Sequence, residues 1–201
     1  MLDSMSSGGR PETRTQILDA AREMFEELGY HRAGLGAVAK KAGVSRQAIY
    51  LHFPSKVDLL TALHLDIYAT DVVPALERHP ITDDMTALEA LDAMIAVDVE
   101  VISKVWRIHE ALTTARRQHP EVEETLRPRE AERYGELLDR ARRIKREGEL
   151  PRNIRAGTIA DMLWGLIGVG TYLSLVVERG WSLDQYRQWV QTTIRLQIGA
   201  A

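Results

Sequence analysis

GLGAVAKKAGVSRQAIYLHFPSK, residues 34–56, decides the fold. Leu35, Val38 and Ala39 recur at the i, i+3, i+4 spacing of one helical face, and Lys40 and Lys41 close that face with positive charge. A first short helix is therefore expected from about Leu35 to Lys41. Ala42, Gly43 and Val44 follow as a small residue, a glycine free to take positive φ at a corner, and an apolar anchor for the turn. Ser45 is placed to cap a second helix through its hydroxyl. That helix carries Ile49 and Phe53 inward and leaves Arg46, Gln47, Ala48, Tyr50 and His52 on its other faces. Pro54 stops it, and Ser55 with Asp58 reads as the capping box of a fourth helix.

Charge is uneven around this stretch. Between Gly29 and Val57 lie Arg32, Lys40, Lys41, Arg46 and Lys56 with no acid, although the whole chain carries a net charge of −3. A locally basic patch on an acidic protein is the footprint of phosphate contact. A plain three-helix packing unit also accommodates a glycine turn and a few lysines, so the pattern alone leaves both readings open.

The run Gly29-Tyr30, Val38-Ala39, Ala42-Gly43-Val44-Ser45, Ile49-Tyr50, His52-Phe53, Ser55-Lys56 and Leu59-Leu60 resembles the N-terminal signature of the TetR transcriptional regulators. The resemblance covers about the first third of the chain, and the remainder is similar only in length and helical layout. It implies a DNA-binding unit in which Tyr50, His52 and Lys56 touch phosphates while Arg46 and Gln47 read bases. The candidate DNA contacts are Gly34, Lys40, Ser45, Arg46, Gln47, Ala48, Tyr50, Leu51, His52 and Lys56. Two departures stand out. Ala33 and Gly34 replace the Thr and Ser/Thr usual at the start of the first motif helix, which removes a capping hydroxyl. Gln47 replaces a residue that is often small, bringing an amide able to make bidentate contact with adenine.

The chain has 201 residues, 45% of them hydrophobic and 27% charged, ordinary values for a globular protein. The absence of cysteine excludes disulfides and thiolate chemistry and fits a reducing cytoplasm. Residues 1–12 read as a Ser/Gly-rich disordered arm and not as a signal peptide. Residues 13–56 form the expected DNA-binding domain and 57–201 a ligand-binding and dimerisation domain. The longest apolar run, Met162 to Val177, falls short of the roughly 20 residues of a membrane span, so a buried helix and no membrane partner are expected.

Helix one is expected from near Thr13 to Leu28, burying Ile17, Leu18, Ala21, Phe25 and Leu28 and stopping at Gly29; Arg14 at its start is within reach of a phosphate. The fourth helix should run from Ser55 until Pro74. From about Met85 to Gln118, Leu88, Leu91, Ile95, Asp98, Ile102, Val105 and His109 make one ridge and Met94, Val97, Val101, Ile108 and Leu112 its neighbour, the broad face of a helix inside a bundle. Asp98 and His109, about three turns apart, point the same way with Trp106 alongside. Either they satisfy core hydrogen bonds or, with Trp164 and Tyr172 as opposite walls, they line a pocket for a small effector.

A charged helix is expected from about Glu121 to Glu147, with Pro128 a kink or its true start, ended by Gly148 and followed by a Leu150-Pro151-Arg152-Asn153 connection. Its Arg140, Arg142, Arg143, Lys145 and Arg146 are interleaved with acids and suit a helix C-terminus better than nucleic acid. Thr158 to Glu178 reads as one helix with a flat Gly165/Gly168 patch, and a last helix capped by Ser182 and Gln185 carries Trp189, Val190, Ile194 and Leu196. The resemblance implies that the last two helices form a homodimer interface; packing within one subunit is the alternative.

The expectation is therefore an all-α protein with an N-terminal helix-turn-helix unit and a helical regulatory bundle. By resemblance it is a ligand-responsive repressor binding a palindromic double-stranded DNA operator as a homodimer, without cofactor or metal. A helical enzyme needs converging acid, base or metal ligands, and the six histidines are scattered with no His-Glu-x-x-His spacing. A protein-interaction bundle that has abandoned DNA is the other alternative.

Overall fold

The computed structural model describes residues 9–147 and 154–199, and these form helices without a strand among them. The expected arm lies outside the described residues as far as residue 8, as do the Gly148 stop and the 150–153 connection. Two compact units emerge, one of residues up to Thr70 with Arg107–Thr125, the other of Asp71–Trp106 with Leu126–Ala201.

In the first unit α1 (Gly9–Arg32) starts earlier than Thr13, so residues 9–12, expected in the arm, are helical. Gly29 interrupts α1 with φ 72° and ψ 171°, a left-handed twist that glycine adopts without steric cost. The chain turns helical again through Tyr30–Arg32. Ile17, Leu18, Ala21 and Phe25 are buried as the stripe required, but Leu28 is 38% exposed because the helix breaks immediately after it. Helix α1 packs on α2 (Leu35–Lys41) and α4 (Lys56–Ile67), and α2 packs on α3 (Arg46–His52). Val38, Ala39, Ile49, Phe53, Leu59, Leu60 and Leu63 fill the core.

Pro74 does not end the fourth helix in the expected way. A π-helical turn, Tyr68–Val72, follows α4 and leads into α5 (Val73–Arg78), with Pro74 in the first turn of α5, where no N–H is required of it. Lys56–Arg78 is long and apolar enough by composition to cross a bilayer, yet Val57, Leu59, Leu60, Leu63 and Ile67 are buried in protein.

Helix α6 (Ala87–Arg116) begins with a capping box at Thr86 and Glu89, one residue beyond the expected start at Met85. Thr86 Oγ1 accepts from the Glu89 amide at 3.2 Å, and Glu89 accepts from the Thr86 amide at 2.8 Å. Its residues to Trp106 belong to the second unit and those from Arg107 to the first. Helix α7 (Pro120–Arg146) contains Pro128 in its interior, so Pro128 is not its start.

The expected single helix from Thr158 to Glu178 is broken. α8 (Ala156–Leu166) and α9 (Val169–Tyr172), continued by a π-helical turn to Glu178, are bent by 45°. Gly168 is the joint: it is extended, at φ −71° and ψ 153°, and an added Cβ would meet the Trp164 carbonyl oxygen at 3.0 Å. Gly168 therefore serves a chain break and not a flat patch. Helix α10 (Leu183–Ile198) has the anticipated Ser182/Gln185 capping box and buries Tyr186, Val190, Ile194 and Ile198 against residues of α6, α7 and α8.

Candidate nucleic-acid interface and effector cavity

The turn between α2 and α3 closes by backbone hydrogen bonds that need its glycine. The Val44 amide donates to the Ala39 carbonyl at 2.9 Å and the Gly43 amide to Lys40 at 3.3 Å, with Gly43 at φ 69°. This pair of bonds is a Schellman motif. Ser45 then accepts from the Ala48 amide at 3.0 Å and starts α3. Ile49 and Phe53 anchor α3 in the core, which leaves Arg46, Gln47, Tyr50 and Leu51 exposed, Tyr50 by 53% and Leu51 by 79%. Ala48 and His52 are half-buried on its flanks. Gly34 caps α2 by backbone conformation alone, with no side-chain bond, consistent with the missing hydroxyl at that position.

The basic residues divide in a way that their sequence spacing did not disclose. Lys40 is exposed, whereas Lys41 pairs with Glu23 at 2.7 Å and lies 3.9 Å from Glu27, both on α1. The hydrogen bond to Glu23 raises the Lys41 pKa. Arg46 lays its guanidinium over Gly36, where a Cβ would stand 3.3 Å from Nε. Arg14, considered for a phosphate, lies 5.5 Å from the centroid of the Phe53 ring. Lys56 turns inward: it donates to the carbonyls of Tyr30 and, at 3.5 Å, His31, and its ammonium stands 4.2 Å from the Tyr30 ring centroid. Burial lowers its pKa. An i,i+26 contact has no signature in local spacing.

In the second unit a cavity of about 270 Å³ opens among residues 76–81, α6 and α7. Asp98 lines it with Met94, Val97, Arg133, Glu136, Leu137 and Arg140. The α7 residues follow i, i+3, i+4, i+7, one helical face on which three of the four side chains are charged, so hydrophobic periodicity does not mark it. Burial raises the Asp98 carboxyl above its ordinary range, while Arg133, 3.7 Å away, pulls it back. Glu136 is raised too, first by burial and then by the charge of Asp98.

The five residues expected to form one pocket are brought together only in part: Trp106 meets Tyr172, Asp98 and Trp164 share Arg133 as a neighbour, and only Asp98 lines the cavity. Trp106 packs on Tyr172 at 6.2 Å between ring centroids, and Tyr172 on Tyr186 at 5.8 Å, within the aromatic packing of the second unit. Trp164 meets Tyr134 at 6.0 Å and the Arg133 guanidinium at 5.7 Å. His109 belongs to the first unit. The physical reason is reach: residues on one ridge of a helix as long as α6 are spread along its axis and meet different neighbours.

A capped, turn-linked helix pair whose second helix shows its polar and apolar side chains to solvent defines a helix-turn-helix DNA-binding protein. Residues 17–63 match the bacterial regulatory proteins of the tetR family. The HTH-type transcriptional regulator UidR of Escherichia coli strain K12 is 30% identical over 83% of this chain and 83% of its own length. The protein belongs to the TetR family and is a DNA-binding transcriptional regulator. Its fold is shared with a transcriptional regulator from Saccharomonospora viridis in complex with choline, at TM-score 0.77 and 24% identity over 92% of this chain and 96% of the other. The regulator FadR from Bacillus subtilis in complex with stearoyl-CoA has TM-score 0.72 and 22% identity over 93% and 98% of the two chains.

Proposed function

We propose that the protein is a ligand-responsive repressor that acts in the cytoplasm and binds a near-palindromic operator as a homodimer. The observation that carries this reading is α3, fixed by Ile49, Phe53 and the Ser45 cap while Gln47, Tyr50 and Leu51 face solvent. Arg46 and Gln47 then meet base edges in the major groove, Leu51 and Ala48 suit a thymine methyl, and Lys40, Ser45, Tyr50 and His52 hold phosphates beside the backbone at Gly34. Lys56 has its ammonium committed to α1, so its part is to position α4 and not to neutralise a phosphate.

One α3 reads a half-site, and two are needed for a specific operator. The exposed Trp164, Val177, Leu183 and Leu196 on the last helices, beside a Gly165 with open space above it, support an interface there. The effector is assigned to the cavity at Asp98; that two regulators sharing the fold are complexed with small molecules supports a ligand-responsive reading. An effector that favours one arrangement of the helices shifts the population away from the DNA-competent one, and α6 and α7, whose residues enter both units, are continuous elements for that coupling.

The test is fluorescence anisotropy with duplex DNA from the region flanking the gene, titrated with salt against random duplex. Specific binding with a steep salt dependence supports the reading. Equal, salt-insensitive binding to both duplexes would favour the interaction-bundle alternative.

A further inference from the structure

We propose that the cavity at Asp98 takes a small organic cation, held by Asp98 in its wall and by Glu136 at its mouth. This rests on the reading of the cavity as the effector site and names the chemistry of that effector.

Two carboxylates from different helices, Asp98 of α6 and Glu136 of α7, line one cavity whose other walls include Met94, Val97 and Leu137. Apolar side chains, Leu76 and Ile81 included, make up half of the lining, and with an acid from each of two helices among them they suit an ammonium or guanidinium group carrying a hydrocarbon body. The place of that cation is now held by the protein itself. Arg133 has Asp98 on one side at 3.7 Å and the Trp164 ring on the other at 5.7 Å, a carboxylate and an aromatic face around one positive group. It is held loosely. The nitrogen-to-oxygen distance is long for a charge-assisted hydrogen bond, and the buried Arg133 Nε has no hydrogen-bond partner among the described residues. A ligand cation that reaches Asp98 more closely replaces a weak internal pair with a stronger one and frees Arg133 to turn toward solvent.

The opposite charge fits less well. Arg140 and His79 also line the cavity, but His79 faces Glu100 at 3.5 Å, a carboxylate that also takes Arg78 and Lys104. An anion entering between Asp98 and Glu136 meets two carboxyls already held above the ordinary range, Asp98 by burial and Glu136 by burial and the charge of Asp98. A cation there relieves both.

Three probes of one shape separate the charges: benzylamine, benzyl alcohol and benzoate, titrated calorimetrically at neutral pH into the full-length protein, wild type, Asp98→Asn and Glu136→Gln. The expected result is binding of benzylamine that weakens about tenfold or more in Asp98→Asn and measurably in Glu136→Gln, with little binding of the other two. Glu136→Gln, at the mouth, provides the carboxylate test if Asp98→Asn does not fold. Preference for benzoate, equal affinity for all three, no binding of any, or benzylamine affinity indifferent to both substitutions overturns the cation assignment. Operator release is measured in parallel. Carboxylate-dependent binding of benzylamine that leaves the operator complex intact retains the cation site and removes the effector role. Release by any probe without dependence on Asp98 or Glu136 does the reverse.

Discussion

Lys56 opens α4 and directs its ammonium onto the carbonyl oxygens of Tyr30 and His31 at the end of α1, standing over the Tyr30 ring at 4.2 Å. It thereby ties the C-terminal turn of the first helix, beyond the Gly29 break, to the helix that follows α3. Lys56→Met keeps an unbranched side chain one atom shorter and removes the donor. Its expected cost is about 0.5–1.5 kcal/mol in chemical denaturation, the net worth of a hydrogen bond whose acceptors are part-buried and exposed. Operator affinity should fall with stability while the slope of log affinity against log salt stays unchanged. A slope flatter by about one unit would return Lys56 to the phosphate contacts.

Gln47 stands on the first exposed turn of α3, free of the core. Gln47→Ala should cost about 1–3 kcal/mol on the preferred operator, relax preference at one base pair per half-site, and leave thermal stability alone. Competition against single-substituted operators measures it; a uniform loss on every sequence assigns Gln47 to the backbone.

Asp98 predicts a pH dependence with a definite sign. Its folded-state pKa is raised from 3.8 by burial, against the pull of Arg133, in a cavity that also holds Glu136, Arg140 and His79. Its protonated form is the one the fold favours, so its contribution to stability is fully present below pH 3.8 and is lost as pH rises through the raised value. Asp98→Asn retains a neutral group at all pH. The variant should melt at or above the wild-type temperature at pH 7, and the difference should vanish in acid. A variant less stable at pH 7 than at pH 3.5, each relative to wild type, would show that the Arg133 pair outweighs burial.

Leu196 is 71% exposed on the last helix and Trp164 37% exposed on α8. If the proposed homodimer uses this face, Leu196→Glu should give a monomer in light scattering where the wild type is a dimer, and weaken operator binding, with helix content in circular dichroism preserved. Persistence of a dimer would move the interface to another face.

Gly168→Ala brings a Cβ to 3.0 Å from the carbonyl oxygen of Trp164, a backbone atom in the last turn of α8. Relief requires that the 45° joint open. A destabilisation of roughly 1–3 kcal/mol is expected from thermal or denaturant unfolding, as for overpacking elsewhere. Gly165→Ala, with open space at its Cβ position, serves as the control within the same subunit.

Local order was legible in the residues themselves. The apolar spacing of Val38, Ala39, Ile49 and Phe53, the Gly43 turn and the Ser45, Ser55 and Ser182 caps act over four or five residues, so their chemistry appears in the sequence as a pattern. These interactions alone dictate that the chain is helical and where α2 and α3 begin and end. The joint at Gly168 was not legible, because glycine in an apolar run permits close packing as readily as it permits a break, and only the Trp164 carbonyl chooses. Partners far apart in the chain were likewise decided by the tertiary structure: Lys41 on Glu23, Lys56 on Tyr30, Arg133 on Asp98, and the separation of His109 from Asp98 into different units. A charged side chain on a helix face carries no mark of which distant carboxylate, carbonyl or ring folding will bring to it, and that choice sets whether it meets DNA, a ligand or the protein's own interior.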